Sequence, residues 1–370
     1  MHEGQRRKMS GAGASLVLTA TLLTTACPGS DRGGGERLES VVVRGDAGVR
    51  ADGFLTHRAD SGFNGTVLIA TAGNIILHKG YGWADEGRTE PVTTTTPFWV
   101  ASISKQFAAV AVLRLAERML LSPGDSITRF FPMVPADKRT ITLHQLLTHT
   151  AGLEQRYAAD GITDRGVAVD AILVGPLARQ PGDGFGYSND AYNLIAAVVE
   201  VTAGEPYEEF LREQLLEPAG LEHTGFWGPV DHPEVAAILE DDWPDSTILR
   251  PNWGYRGGTG MFSTPGDLYR WYRALQSDEV LSAAGRNRLL TPHVTRGTIG
   301  VGYGWFASPG PGGTPSIWTR GYESFGHGAV LATYPEEQLV IVVTSNSGER
   351  TPDRPESHQL AQELAELLLP

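Results

Sequence analysis

The sequence predicts an α+β fold: an antiparallel sheet flanked by helices, with an all-helical lobe of about residues 122–250 inserted between its strands. Three observations lead there. Apolar, strand-like runs occur near residue 65 and again after residue 315, so the sheet draws strands from both ends of the chain. The intervening stretch carries helical spacing and loops. No internal repeat is present, which excludes a solenoid or propeller.

Taken in order, Gly65–Thr71 is an apolar run, Ala72-Gly73-Asn74 a turn and Ile75–Gly82 a second run, together an antiparallel hairpin. A helix follows Val100. In it Ile103, Phe107, Val110 and Ala111 recur at helical spacing and face a core, and it ends near Leu121-Ser122-Pro123-Gly124-Asp125. Within the lobe, Asn189–Thr202 reads as a helix with Leu194, Ala197, Val198 and Val201 on one face. Strand signals return at Pro315–Tyr322, Gly328–Tyr334 and Leu339–Thr344, the last apolar enough for an interior strand. A helix from about Glu356 to Leu369 closes the chain.

The N-terminus reads differently. Arg6-Arg7-Lys8 precedes an uncharged stretch from Met9 to Ala26, the pattern of an export signal, and the stretch is too short and too rich in Thr, Ala and Gly for a membrane span. Leu23-Thr24-Thr25-Ala26-Cys27 resembles a bacterial lipobox, which makes Cys27 the candidate lipidation site and the location exported, either lipid-anchored at the cell membrane or secreted. Cys27 is also the only cysteine, which excludes internal disulfides and Cys-based metal sites. Residues 28–50 are rich in Gly, Arg and Asp and read as a flexible tether, so residues 1–27 are signal and 51–370 are the folded domain. The Arg44-Gly45-Asp46 tripeptide is a chance match within that tether.

Composition sets the class. A chain of 370 residues with 41% hydrophobic content suits one enlarged globular domain or two intimately joined lobes, and a net charge of -13 argues against a nucleic-acid partner. The ten histidines show no metal-binding spacing, so no metal or other cofactor is expected.

The stretch Ser102-Ile103-Ser104-Lys105 carries the chemistry. Residues three apart share a helix face, so Ser102 and Lys105 converge while Ser104 points elsewhere. A serine hydroxyl needs a neighbour to take its proton, and a lysine amine can serve, which makes Ser102 the candidate nucleophile and Lys105 its partner.

The words around it resemble a known family. Gly65–Ala70, His78-Lys79-Gly80-Tyr81-Gly82, Val100–Phe107 and Leu146-Leu147-Thr148-His149-Thr150-Ala151-Gly152-Leu153 are similar to segments of the serine β-lactamase and penicillin-binding-protein family. The nearest branch holds class C β-lactamases, D-alanyl-D-alanine carboxypeptidases and family VIII esterases, and the resemblance runs from about residue 60 to about residue 348. It implies the β-lactamase/transpeptidase-like fold and an acyl-enzyme on Ser102.

Gly186-Tyr187-Ser188-Asn189 resembles the family's Tyr-x-Asn element, which implies that Tyr187 shuttles the proton and that Asn189 holds Lys105 or the substrate amide while capping the next helix. The same peptide fails as an α/β-hydrolase elbow, since Asp190 stands where the last Gly belongs.

The third element, Lys-Thr-Gly or His-x-Gly, has two placements. Counting back from Tyr334-Pro335 sets Arg320-Gly321-Tyr322 there; His327-Gly328-Ala329 is the competitor and leaves too little chain before Pro335. The resemblance then implies Arg320 as a substrate-binding charge that does not shuttle protons, and an oxyanion hole from the backbone N–H groups of Ser102 and Glu323. His149 is expected to be structural, and the Gly-rich run Tyr255–Met261 to support the pocket floor.

The expected function is an exported serine hydrolase acting on a small-molecule or peptidoglycan-derived substrate, carboxypeptidase-like or esterase-like, with β-lactam hydrolysis a further option. The alternative is a catalytically silent penicillin- or peptidoglycan-binding lipoprotein, and the sequence leaves the oligomeric state open.

Overall fold

The computed structural model describes residues 38–226, 252–322, 326–347 and 356–369. The expected export signal with Cys27, and residues 28–37 of the expected tether, lie outside the described residues.

The rest of that tether is folded, which corrects the expected boundary at residue 51. A short strand, β1 (Val42–Val43), pairs with the third strand, and a 16-residue helix, α1 (Gly45–Asp60), follows. Glycine here permits close packing. A Cβ on Gly48 would lie 2.4 Å from the Ile76 carbonyl oxygen, so only glycine lets the helix approach the strand this closely. The helix buries Gly48, Ala51 and Leu55 alone, too thin an apolar stripe to stand out in sequence.

The expected hairpin is formed by β2 (Gly65–Thr71) and β3 (Asn74–Tyr81). Then β4 (Phe98–Trp99) leads into a 3₁₀ turn, Ala101–Ile103, and helix α2 (Ser104–Glu117). Every residue of α2 from Ser104 to Leu113 is buried, so this helix runs through the interior. Each fully buried Val, Leu or Phe contributes about 1.5–3 kcal/mol, so the helix that follows Ser102 is among the most firmly fixed parts of the molecule.

The lobe contains α3 (Leu143–Leu147), α4 (Arg165–Val174), α5 (Asn189–Ala203) and α6 (Tyr207–Leu211). Helix α5 is buried all round from Asn189 to Val199 rather than on one face, and Val201 is 38% exposed. The lobe is also not wholly helical. Its strand β5 (Gly225–Phe226) pairs with β6 (Met261–Ser263), which pairs with β4, so a three-stranded sheet ties the lobe to the segment entering the nucleophile's turn.

After β6 come α7 (Pro265–Gln276) and α8 (Ala283–Leu290), then three short strands without a sequence signal: β7 (Val294–Arg296), β8 (Ile299–Val301) and β9 (Phe306–Pro309). The remaining elements match expectation closely: β10 (Pro315–Tyr322), β11 (Gly328–Tyr334), β12 (Leu339–Ser345) and α9 (Ser357–Leu368).

The main sheet has nine strands in the order β1-β3-β2-β12-β11-β10-β9-β8-β7, so strands from the two ends of the chain meet at β2 and β12. One face, with Leu68, Ala70, Leu331 and Val342, packs on α7 and shares a continuous core with α2 and α5. The other, with Val67, Ile69, Val330 and Val343, packs on α1 and α9. β9 pairs with β10 only over Pro315–Trp318, so the β10 edge from Thr319 to Tyr322 is left by β9 and borders the turn bearing Ser102.

Candidate active site

Ser102 sits in the 3₁₀ turn two residues ahead of α2, following Ala101, whose φ of +46° is a left-handed conformation that costs a non-glycine residue energy. In a 3₁₀ turn, residues three apart eclipse. Lys105 therefore stacks over Ser102, and its Nζ donates to Ser102 Oγ at 3.2 Å. Ser104 is committed elsewhere: its Oγ donates to the Ala101 carbonyl (2.7 Å) and accepts from the Met261 N–H (3.1 Å).

Lys105 is 2% exposed, and its ammonium has three donors to satisfy. Asn189 Oδ1 accepts at 2.7 Å and the Gly258 carbonyl at 2.8 Å, which leaves the third direction for Ser102. The Gly258 contact was missed in the sequence because a backbone acceptor leaves no residue signature. Asn193 sets it: Oδ1 accepts from the Gly257 and Gly258 N–H groups (both 3.2 Å), and Nδ2 donates to the Gly254 carbonyl (2.7 Å). Asn189 is the first helical residue of α5 and not its cap. Ser188 caps the helix, its side chain accepting from the Ala191 N–H.

The Tyr187 hydroxyl donates to Ser102 Oγ at 2.7 Å, so this oxygen accepts from a phenol and an amine together. The Lys105 Nζ lies 4.8 Å from the centre of the Tyr187 ring. Ser102, Lys105, Tyr187 and Asn189 thus meet as one cluster.

His149 belongs to this cluster, against the expectation of a remote structural role. Its ring stacks on Tyr187 with centroids 4.3 Å apart, and its Nδ1 accepts from the Ser188 N–H at 3.2 Å. Its backbone is left-handed (φ +56°), which turns its carbonyl to accept from the Gly186 N–H at 2.7 Å. Burial first, and then the nearby charge of Lys105, hold the imidazole pKa well below its usual range, so the ring is neutral.

The third element is displaced by one residue from its expected register. β10 meets the turn bearing Ser102 at Gly321, where a Cβ would lie 2.0 Å from the Val100 carbonyl oxygen and 2.8 Å from the Ser102 nitrogen. The obligatory glycine is Gly321, and the element reads Thr319-Arg320-Gly321. A slip of one reverses the faces of a strand. Thr319, 1% exposed, shares Gly321's face toward the turn bearing Ser102, whereas Arg320 lies on the other face of the strand, still lines the cavity, and pairs there with Glu356 at 3.2 Å. The competing His327 is buried at the start of β11, where desolvation lowers its pKa to about 3.

The register also decides which backbone N–H of β10 faces the gap beside Ser102. Thr314 O accepts from the Gly310 N–H on the β9 side, while Ile317 O accepts from Thr333 Oγ1 on the β11 side. Backbone groups alternate along a strand, so the Tyr322 N–H is directed away from β11, toward the edge that β9 has left. Glu323 lies outside the described residues.

These groups line a cavity of about 560 Å³, with Phe185, Arg296, Ile299, Phe306 and Trp318 forming its walls and rim. Among the described residues, Glu39, Glu222 and His223 bring potential metal-ligand atoms within 4.8 Å of one another, but none of the three lines this cavity. No described helix is long and apolar enough to cross a membrane.

Residues 51–366 match the family model described as Beta-lactamase. The chain is 30% identical to PbpX of Bacillus subtilis (strain 168) over 253 residues, which cover 67% of this chain and 63% of that protein, so the match spans less than two thirds of the relative's length. Among solved structures, the penicillin-binding protein from Bacillus halodurans superposes with a TM-score of 0.72 at 26% identity, over 85% of this chain and 99% of that one. The D-amino acid amidase from Ochrobactrum anthropi SV3 shares the fold, with a TM-score of 0.74 at 21% identity over 88% and 99%.

Proposed function

The chain belongs to the Beta-lactamase family, a family of serine hydrolases, and on that premise we propose that it hydrolyses esters and D-amino-acid peptides through an acyl-enzyme on Ser102. The observation that carries the reading is the position of Ser102 Oγ between the Tyr187 hydroxyl (2.7 Å) and Lys105 Nζ (3.2 Å). Both groups already donate to it, which is the environment an attacking alkoxide requires.

In the first half-reaction Ser102 Oγ bonds to the carbonyl carbon. With the Tyr187–Lys105 pair holding one proton fewer than phenol plus ammonium, the Ser102 proton passes to the Tyr187 oxygen and returns from Tyr187 to the leaving atom as the old bond breaks. The carbonyl oxygen takes hydrogen bonds from the Ser102 and Tyr322 N–H groups. Water, delivered through the same pair, then releases the acid.

Substrate preference rests on the third element. Where the family pattern places Lys or His, this chain has uncharged Thr319, and the neighbouring Arg320 is held by Glu356. A β-lactam fixes its carboxylate rigidly near that element, so it meets no free charge there. The silent binding-protein reading has the same neutral Thr319 in its favour, and turnover separates the two. Steady-state kinetics on p-nitrophenyl acetate, a D-alanyl-D-alanine peptide and a chromogenic cephalosporin test the proposal. Turnover of the ester or peptide should exceed that of the cephalosporin and fall at least about 10³-fold in Ser102→Ala. No turnover of any of the three favours the silent protein.

We also propose export with lipid attachment at Cys27. The basic start, the uncharged run and Ala26 before the only cysteine support it, although these residues lie outside those described. The mass of the mature N-terminal peptide tests it, and a mature N-terminus elsewhere without diacylglycerol would refute it.

A further inference from the structure

Beside Lys105 and Arg320 the cavity has a third cation, on a wall that sequence reasoning did not assign. Arg296 ends β7, at the turn of the β7–β8 hairpin, and lines the same cavity as Ser102. It is exposed, and its guanidinium lies 5.6 Å from the centre of the Phe185 ring. No acidic group pairs with it among the described residues, whereas the other exposed lining cation, Arg320, is engaged by Glu356.

The wall leading to Arg296 starts at the nucleophile. Tyr187 stacks on His149 at 4.3 Å, and His149 meets the edge of Phe185 at 5.6 Å, which in turn carries Arg296. Tyr187 returns the proton to the leaving atom, so the leaving group departs along this side. A guanidinium at the end of an apolar, aromatic wall offers forked hydrogen bonds and charge to an anion carried by that group.

We propose that Arg296 is a specificity-determining residue that binds a carboxylate on the leaving group, so that the preferred substrates are flexible esters or amides with an anionic leaving group. The inference rests on the acyl-enzyme reading above and transfers carboxylate recognition from Arg320 in the third element to the β7–β8 hairpin. A flexible leaving group can lie along Phe185 and reach Arg296; a rigid bicyclic one has its carboxylate fixed elsewhere.

The test compares phenyl acetate with 3-acetoxybenzoate, which differ in the carboxylate on the leaving group. The quantity read is the ratio of kcat/KM for the charged ester to that for the neutral one. In Arg296→Gln this ratio should fall about tenfold, mainly through KM, and Arg296→Lys should recover part of it. Added salt should lower the wild-type ratio, because the site is exposed. A ratio within twofold of wild type in Arg296→Gln would overturn the proposal, as would a larger fall in Arg320→Gln. If the wild-type protein turns over neither ester and gains no acyl mass, the acyl-enzyme reading fails and this inference falls with it. Turnover of both esters with an unmoved ratio overturns the inference alone.

Discussion

Tyr187 is held from three directions: its hydroxyl on Ser102 Oγ, its ring beside the Lys105 ammonium, and its other surroundings including the stacked His149. Local spacing made the first two partners legible, because Ser102 and Lys105 are three residues apart and Tyr187 lies in a recognisable peptide. His149 was not legible. Its contact with Tyr187 depends on a left-handed backbone and on the Gly186 and Ser188 N–H groups, none of which a residue pattern displays. We expect His149 to act as a positioning residue. His149→Phe keeps a ring but loses the acceptor for the Ser188 N–H; His149→Asn tolerates the positive φ but loses the stack. Both should lower kcat on a neutral ester about tenfold or more with KM changed less than about threefold, and should alter the pH profile of kcat. Wild-type kcat and an unchanged profile in both folded variants would reduce His149 to a packing role.

Strand β10 shows where reading an element from sequence succeeds and where it stops. Its limits, Pro315–Tyr322, follow from alternation and apolar content, yet its register against Ser102 depends on tertiary packing at Gly321. Helix α1 is the complementary case, since its glycines suggested flexibility while Gly48 permits close approach to β3. The short strands β7–β9 carry too few residues for a periodic signal, although β7 supplies Arg296. The register yields a direct prediction. Gly321→Ala must displace the Val100 carbonyl or the Ser102 backbone, so acylation should slow at least about 100-fold while circular dichroism keeps the wild-type spectrum. Tyr322→Ala should be milder, since Tyr322 is 38% exposed where it lines the cavity and its backbone N–H is kept. The reverse ranking would restore the Arg320-Gly321-Tyr322 placement.

Across the whole molecule, the α+β class and the meeting of strands from both chain ends were legible because periodicity changes twice along the sequence. The folded body begins earlier than its composition suggested, by Leu38 rather than residue 51. Its acidic balance of -13 contrasts with a cavity lined by three cations, the buried Lys105 and the exposed Arg296 and Arg320. The account depends above all on Ser102. Ser104 is spent on the Ala101 carbonyl and the Met261 N–H, and Ser188 caps α5, so neither is placed to react. The most direct measurement is peptide mass mapping after reaction with a fluorophosphonate. The account predicts one adduct on the peptide containing Ser102, at Ser102 itself, and none in Ser102→Ala; an adduct on Ser104 or Ser188, or one that persists in that variant, would contradict it.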